Sequence, residues 1–241
     1  MRRFALLVTL AVLLLRPSVA AADSIVLADW ISGDFANNAA GGGGPFNATT
    51  TGTLLGDINF VSLCIEFNEH FSYGTSYTFT LSDNAFSGGV DGGNPDPVSD
   101  ATKWLYYQAV TGGYTSFYAI ATGLAPNANA GANFQYAVWY LEQEQTAAQI
   151  GGVTSPGYRL ANYALDNQNW ASLFAAGNRV FAMNMTDVNG SPAQDQLAYG
   201  FENNVTEQVV PVPVPEPGSL LLMGSGLIAV YRRYSRKGSN S

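Results

Sequence analysis

The amino-acid sequence predicts an α+β protein, built as a β-sandwich or barrel with a helical insertion. Strand-like patterns fill the first part of the chain, helix-like periods fill the middle, and strand-like patterns return towards the end. Secondary structure segregated in this way is typical of the α+β class, because α/β folds alternate strands with helices along the chain. The predicted strands lie at about 24–81 and 179–210, and the predicted helices lie at about 100–175.

The strand predictions rest on apolar and polar side chains that alternate, since successive side chains of a strand point to opposite faces. In the first part of the chain this pattern marks Ser24–Trp30, Thr53–Phe67 and Thr75–Leu81, and the last two could pair across the connection 68–74. Within the second strand, one face would carry Val61, Leu63, Ile65 and Phe67, and the other Phe60, Ser62, Cys64 and Glu66. Later strands are predicted at Arg179–Met185, Gln196–Phe201 and Val205–Val210.

Three helices are predicted in the middle of the chain. The first begins at Ser99 or Asp100, which are residue types that cap helices, and it ends at a pair of glycines. The second runs from about Asn133 to Ile150, where apolar residues keep a helical period, and the third from Tyr158 to about Ala175. The tryptophans of these helices are expected in the core rather than in sugar-binding platforms: Trp104, Trp139 and Trp170.

The first 22 residues have the features of a secretory signal peptide. Two arginines precede an apolar run from Phe4 to Leu15, interrupted only by Thr9, and small residues follow from Ser18 to Ala22. The alternative, a membrane anchor, needs about 20 consecutive apolar residues, and this run is shorter. The remaining chain is therefore expected to be exported.

Residues 211–241 form a second distinctive end. A proline-alternating stretch leads into an apolar segment at about 217–231, and four basic residues follow it. Counted from Pro217, the segment could cross a bilayer with some thinning, and the basic end would stay on the cytoplasmic side. The pattern predicts a transmembrane helix that leaves the exported body facing outward.

This end resembles the PEP-CTERM sorting signal, also catalogued as the ice-binding protein C-terminal domain, although that label implies no ice binding. The resemblance is carried by Pro215-Glu216-Pro217, the short apolar helix and the basic end. It implies a Gram-negative bacterium, an exosortase as processing partner, cleavage near the motif and a place in the cell envelope or at the outer surface. A simple tail anchor is the alternative.

The charge of the exported part argues against nucleic-acid binding. Residues 23–216 hold all 18 acidic residues of the chain but only Lys103, Arg159 and Arg179 as basic residues, a formal net charge of −15. Such a body repels phosphate backbones and anionic membranes. Divalent cations are plausible weak partners.

Cys64 is the only cysteine of the chain, so no intramolecular disulfide can form. Taken alone, it reads as a small buried apolar residue. Its surroundings, Leu63-Cys64-Ile65-Glu66, together with Phe134-Gln135-Tyr136-Ala137-Val138-Trp139, are similar to the two signatures of bacterial thioester (TQXA) domains. Phe134 stands where that family usually has Thr, and Glu66 where Asp is common.

The resemblance implies a side-chain thioester between Cys64 and Gln135, used once to capture an amine of a surface or matrix protein. Such a bond needs the sulfur held against the amide carbon and the amide oxygen polarised. Gln135 is expected in the first turn of its helix, where unpaired backbone N–H groups could stabilise an oxyanion. The protein would be an adhesion or matrix-attachment module, not an enzyme with turnover, and it would need no cofactor.

Two other functions stay open at this point. One is a passive structural or exopolysaccharide-associated surface protein in which Cys64 is free and buried. The other is a hydrolase, whose carboxylates cannot be paired from the sequence. Glycine-rich phosphate loops and nucleophile-elbow motifs are absent from the sequence.

Further candidate residues are read mainly as structural. His70 could pair with Cys64, but a loop histidine is the favoured reading, and one histidine offers no zinc site. Three carboxylates in the loop 87–100 could hold Ca²⁺, although solvated side chains are favoured: Asp91, Asp96 and Asp100. Glu142 and Glu144 are expected on the exposed flank of a helix.

Overall fold

The structure is a computed structural model that describes residues 23–29, 43–52, 55–86, 90, 93 and 96–201. Its strands are β1 (Ser24–Asp29), β2 (Phe46–Thr51), β3 (Asn59–Ser62), β4 (Ser76–Ser82), β5 (Asn84–Ala85), β6 (Asp96–Pro97), β7 (Asn178–Thr186) and β8 (Gln196–Phe201). Its helices are α1 (Asp100–Gly112), α2 (Tyr114–Thr122), α3 (Ala130–Leu141), α4 (Pro156–Asn167) and α5 (Trp170–Ala175). The order of these elements confirms the α+β class.

Six strands form an antiparallel sheet in the order β3-β2-β1-β4-β7-β8, and β5 pairs with β6 in a separate two-stranded sheet. The two outer strands of the large sheet approach each other beyond the end of β3. The Leu197 N–H donates to the Leu63 carbonyl at 2.9 Å, and the Ile65 N–H donates to the Asp195 carbonyl at 3.0 Å. The sheet is therefore nearly closed into a barrel. We call the contact between residues 63–65 and 195–197 the seam.

The inner face of the sheet holds one apolar cluster, as the alternation of side chains predicts. In β2, for example, Phe46, Ala48 and Thr50 are buried while the residues between them are exposed. The cluster collects one residue in two from most strands, together with Ala132 and Trp139 of α3: Ile25, Leu27, Phe46, Ala48, Cys64, Tyr77, Phe79, Met183, Met185 and Ala198.

The helices cover the outer face of the seam side of the sheet and form a second apolar cluster with it. Val180, Ala182 and Leu197 belong to this cluster, and α1, α2, α3 and α4 supply most of the rest. Ser99 caps α1 as the sequence predicts, since its hydroxyl accepts from the N–H of Thr102. Trp104, Trp139 and Trp170 are all buried, which confirms their placement in the core.

Several predicted elements differ from the observed ones. The predicted pairing of the strands on either side of 68–74 is wrong, because β3 pairs with β2 and β4 pairs with β1 and β7. The predicted helix 133–150 ends at Leu141, and the predicted helix 158–175 is two helices, α4 and α5. The sequence reading also missed α2, which follows α1 directly after Gly113. Gly113 has a φ of 82°, so the chain changes direction there and begins the next helix at Tyr114.

Both predicted ends lie outside the described residues. The signal peptide at 1–22, the strand at 205–210 and the tail at 211–241 with its transmembrane segment at about 217–231 all belong to this group. Among the residues that the structure does describe, no helix has the length and apolar character needed to cross a membrane.

Candidate functional site

Cys64 lies on the seam, where the sheet closes. It forms an isolated antiparallel bridge with Gln196, the first residue of β8, and its side chain is 1% exposed. The thiol belongs to the apolar cluster inside the barrel. Burial raises the pKa of Cys64 to about 12, so the thiol is protonated near neutral pH.

Gln135 is the other residue of the predicted pair, and the fold brings it against Cys64. Its side-chain Nε2 donates to the Cys64 carbonyl at 2.8 Å, and its Oε1 accepts from the Cys64 N–H at 2.8 Å. A third bond runs from the Gly44 N–H to the same Oε1 at 3.0 Å. Gln135 is fully buried, and these contacts join residues that are 71 and 91 positions apart in the chain.

The position of Gln135 within its helix differs from the predicted one. Because α3 begins at Ala130, Gln135 lies in the second turn rather than in the first. The polarising donors are therefore the backbone N–H groups of Gly44 and Cys64 and not those of the helix N-terminus. Two N–H groups that converge on one carbonyl oxygen have the geometry of an oxyanion hole.

The sulfur atom has one further polar neighbour. Gln196 Nε2 lies 3.4 Å from Cys64 Sγ, within hydrogen-bond distance for sulfur. The Oε1 of Gln196 is 3.0 Å from the Ser62 hydroxyl, which fixes the orientation of the amide and directs its NH₂ group to the sulfur. The site thus holds the thiol, the amide carbonyl and two N–H donors in one buried cluster.

Apolar residues and two glycines cover this cluster. A Cβ atom added to Gly43 would lie 2.4 Å from the Trp139 ring and 2.7 Å from Gln135 Cγ, so the backbone of residue 43 lies directly on both side chains. The ring of Phe67 packs edge-on against Trp139 with centroids 5.0 Å apart. Cys64 and Gln135 are buried beneath this cover, which excludes water from them.

Replacing Gly43 by Ala is expected to destabilise the protein by about 1–3 kcal/mol, because the added methyl group must push Trp139 and Gln135 out of a close-packed site. Chemical denaturation of the full-length chain measures this loss. Gly112→Ala is the matched control, since no atom lies within 4 Å of the added methyl there, and it is expected to leave stability unchanged or slightly raised. Equal stability of the two variants would contradict the close approach at Gly43.

The remaining predicted residues do not join this site. His70 is exposed and lies outside the helices and strands, as the loop reading predicts, whereas Cys64 is buried. Asp91 is outside the described residues, Asp96 lies in β6 and Asp100 begins α1. In the described part of the chain, no group of three or more histidine, cysteine or carboxylate side chains is arranged to hold a metal ion.

Glu142 and Glu144 were expected on an exposed flank, and this expectation is wrong. Glu144 is 2% exposed, and its carboxylate accepts from the N–H groups of Phe67 and Val90. The Glu142 carboxylate accepts from the backbone and hydroxyl of Ser99, and burial raises its pKa. Because α3 ends at Leu141, both residues lie in the connection after the helix and turn back towards the body.

Two buried carboxyl groups beside the seam were not singled out from the sequence. Glu66 is 1% exposed, and neither of its carboxyl oxygens has a hydrogen-bond partner. Burial, reinforced by neighbouring carboxylates, raises the pKa of Glu66 to about 9 and that of Asp195 to about 7. The sequence did contain a pattern that could have pointed to a buried Glu66, since this residue shares a predicted strand face with Cys64.

Comparison with known proteins bears on the C-terminal end. Residues 213–237 match the family model described as the PEP-CTERM protein-sorting motif. No curated protein and no solved structure matches the chain. The motif contains Pro215, Glu216 and Pro217 and marks a chain for processing by an exosortase. The protein is therefore an exported, cell-envelope-associated protein that carries a PEP-CTERM sorting signal.

Proposed function

We propose that Cys64 and Gln135 form an internal thioester, and that the exported protein uses it once to attach covalently to an amine on a surface or matrix protein. The observation that carries the proposal is the double hydrogen bond on Gln135 Oε1, from the N–H groups of Cys64 and Gly44. These donors withdraw electrons from the amide carbon, and they stabilise the negative charge that develops on the oxygen when sulfur attacks it.

Formation of the bond is balanced without any other reactant. The Cys64 sulfur bonds to the Gln135 side-chain carbon, the carbon–nitrogen bond breaks, and the thiol proton leaves on the nitrogen as ammonia. The high pKa of the buried thiol disfavours a free thiolate, so proton transfer must accompany attack. Proximity offsets part of this cost, because one residue supplies both the attacking sulfur and a backbone donor to the amide.

Capture of an amine reverses the direction of acyl transfer. The amine nitrogen bonds to the Gln135 carbon, the carbon–sulfur bond breaks, and a proton from the amine returns to sulfur. The N–H groups of Cys64 and Gly44 support this step through the same oxygen. The cover formed by Gly43, Trp139 and Phe67 protects the thioester from hydrolysis until a partner displaces it.

A specific observation favours a second candidate. Both polar atoms of the Gln135 amide group are engaged, in three neutral hydrogen bonds to the backbone, and Cys64 is buried. The same contacts would serve a passive structural or exopolysaccharide-associated surface protein, in which Gln135 only joins α3 to the seam. The two candidates differ in one covalent bond.

The mass of the exported full-length protein separates them. With a thioester, the peptides that contain Cys64 and Gln135 stay linked and are lighter by one ammonia than their sum. Methylamine is expected to open the link and to appear as an adduct on Gln135. Cys64→Ala and Gln135→Glu remove both effects, since neither variant can release ammonia from this pair, whereas Gln108→Glu on α1 is expected to retain them.

The opposite result is equally clear. In that case no linked peptides are found, Gln135 is unmodified after methylamine treatment, and the unfolded chain has a free thiol. These results would leave only the passive structural candidate. The match to the sorting motif does not depend on this outcome.

A further inference from the structure

The seam beside Cys64 carries carboxyl groups on both of its sides. Glu66 and Glu69 belong to the segment that follows Cys64, and Asp195 belongs to the segment that precedes β8. Glu69 accepts from the Asp195 N–H at 3.1 Å, and the Glu66 carbonyl accepts from the Gln194 side chain. The two segments therefore lie side by side, with their acidic side chains in one neighbourhood.

Glu66 is the central group of this neighbourhood. The carboxylates that act on it are those of Glu144, Asp96, Glu69 and Asp195, which come from four segments of the chain. Glu144 follows α3, and Asp96 lies in β6. Each of these charges disfavours an ionised Glu66, as does its burial.

The basic side chains of the body are engaged at other places. Lys103 Nζ lies 3.5 Å from an Asp83 carboxylate oxygen. Arg159 donates to the Thr122 carbonyl, and Arg179 donates to the Phe174 carbonyl. The group that neutralises Glu66 is thus its own proton.

The seam is a short contact. Two backbone hydrogen bonds join its segments, at Leu63 and Ile65, and side-chain hydrogen bonds of Ser62, Gln194 and Gln196 support them. By contrast, β7 and β8 pair over six residues on each strand. A charge on Glu66, on one side of so short a contact, repels the carboxylate of Asp195 on the other side and favours separation of the two segments.

We propose that the proton of Glu66 controls the seam: while the side chain is neutral, the seam stays closed over Cys64 and Gln135, and loss of the proton opens the seam and gives access to this pair. We call this control the latch. The latch itself does not depend on a thioester, and only its role in admitting an amine rests on the proposed function. Opening frees the Leu197 and Ile65 N–H groups and separates Gln196 from the Cys64 sulfur.

The opening reaction has a defined dependence on pH. An ionised Glu66 is disfavoured in the closed seam and solvated in the open one, so each opening releases a proton when the pH lies between the pKa values of the two states. With a closed-state pKa of about 9, the opening constant is expected to rise about tenfold for each pH unit between pH 7 and 9.

Hydrogen exchange of the full-length protein measures this opening. Exchange of the seam peptides, covering 63–66 and 194–197, is followed at pH 7, 8 and 9 and corrected for the intrinsic rate. Peptides of β1 and β2 serve as the internal reference for global unfolding. In the wild type, protection of the seam is expected to be lower than that of the reference at every pH and to fall about tenfold per pH unit. Glu66→Gln, which imitates the protonated side chain, is expected to keep constant protection.

Two results would overturn the latch. The first is constant protection of the wild-type seam across this range, which decides the matter even if the variant does not fold. The second is a seam that is as strongly protected as the reference strands at every pH, because the seam would then open only when the whole domain unfolds. Asp166→Asn, which removes an exposed carboxyl on α4, is the matched control and is expected to behave as the wild type. The mass experiment on Cys64 and Gln135 is independent of all these outcomes.

Discussion

Replacement of Gln135 by Ala is expected to lower the free energy of unfolding by roughly 3–5 kcal/mol, a large share of the stability of a domain of this size. The substitution removes the partner of three buried backbone groups at once: the Cys64 N–H, the Cys64 carbonyl and the Gly44 N–H. A buried group that loses its partner costs about 1–3 kcal/mol, and the empty volume left by the side chain adds to this.

Denaturant unfolding of the full-length chain, followed by tryptophan fluorescence, measures the effect. Gln108→Ala is the matched control, since Gln108 lies on α1 and is partly exposed, and alanine favours helix. It is expected to change stability by no more than about 0.5 kcal/mol. A loss below about 1 kcal/mol for Gln135→Ala would mean that α3 does not hold the seam through this side chain. This figure applies to the chain without a thioester. In a chain with the thioester, Nε2 has left as ammonia, and the variant instead loses the covalent link and the two hydrogen bonds to Oε1.

The Cys64–Gln135 pair was accessible from sequence because two short motifs point to it, and the fold places these residues in contact. The donors that polarise the amide were not accessible in the same way. Gly44 reaches Gln135 from 91 residues away, and nothing in the local sequence of a glycine-rich loop reports which side chain its N–H will meet. A helix N-terminus was the only source of free N–H groups that the local pattern could suggest.

The strand pattern predicted which residues alternate but not which strands pair. The sequence around 53–82 is compatible with a hairpin, yet β1 lies between the strands concerned and pairs with both β2 and β4. Strands that follow each other in the chain are neighbours in most sheets, and the predicted pairing was wrong because it relied on this tendency. Near closure of the barrel depends on residues 63–65 meeting 195–197, a contact of high sequence separation that local alternation does not encode.

The buried acidic groups were missed for a related reason. Glu142 and Glu144 follow a helix with polar neighbours, which usually indicates an exposed surface. In the folded chain, both carboxylates instead accept hydrogen bonds from the backbone of other segments, and these contacts compensate for their burial. Glu66 has no such compensation, and its high pKa is the physical consequence.

The raised pKa of Glu66 also makes the stability of the whole domain depend on pH. The pKa of Glu66 is about 9 in the folded chain, and that of an unfolded glutamate is about 4.3. Between these values the folded state binds a proton that the unfolded state has lost, so the free energy of unfolding falls as pH rises. Asp195, with a folded pKa of about 7, contributes in the same direction from about pH 4 to 7.

The wild type is therefore expected to be most stable in mild acid and to lose stability steeply up to pH 7, where two protons are involved. From pH 7 to 9 the loss due to Glu66 is roughly 2–3 kcal/mol, since one proton corresponds to about 1.4 kcal/mol per pH unit. The buried Cys64 thiol adds to this loss as the pH approaches 9. Denaturant unfolding at each pH measures both slopes. Glu66→Gln is expected to remove most of the upper slope and about half of the lower one, because its amide does not titrate and Asp195 still does. A wild-type protein whose stability stays constant or rises from pH 7 to 9 would show that Glu66 is already ionised in the folded chain at pH 7.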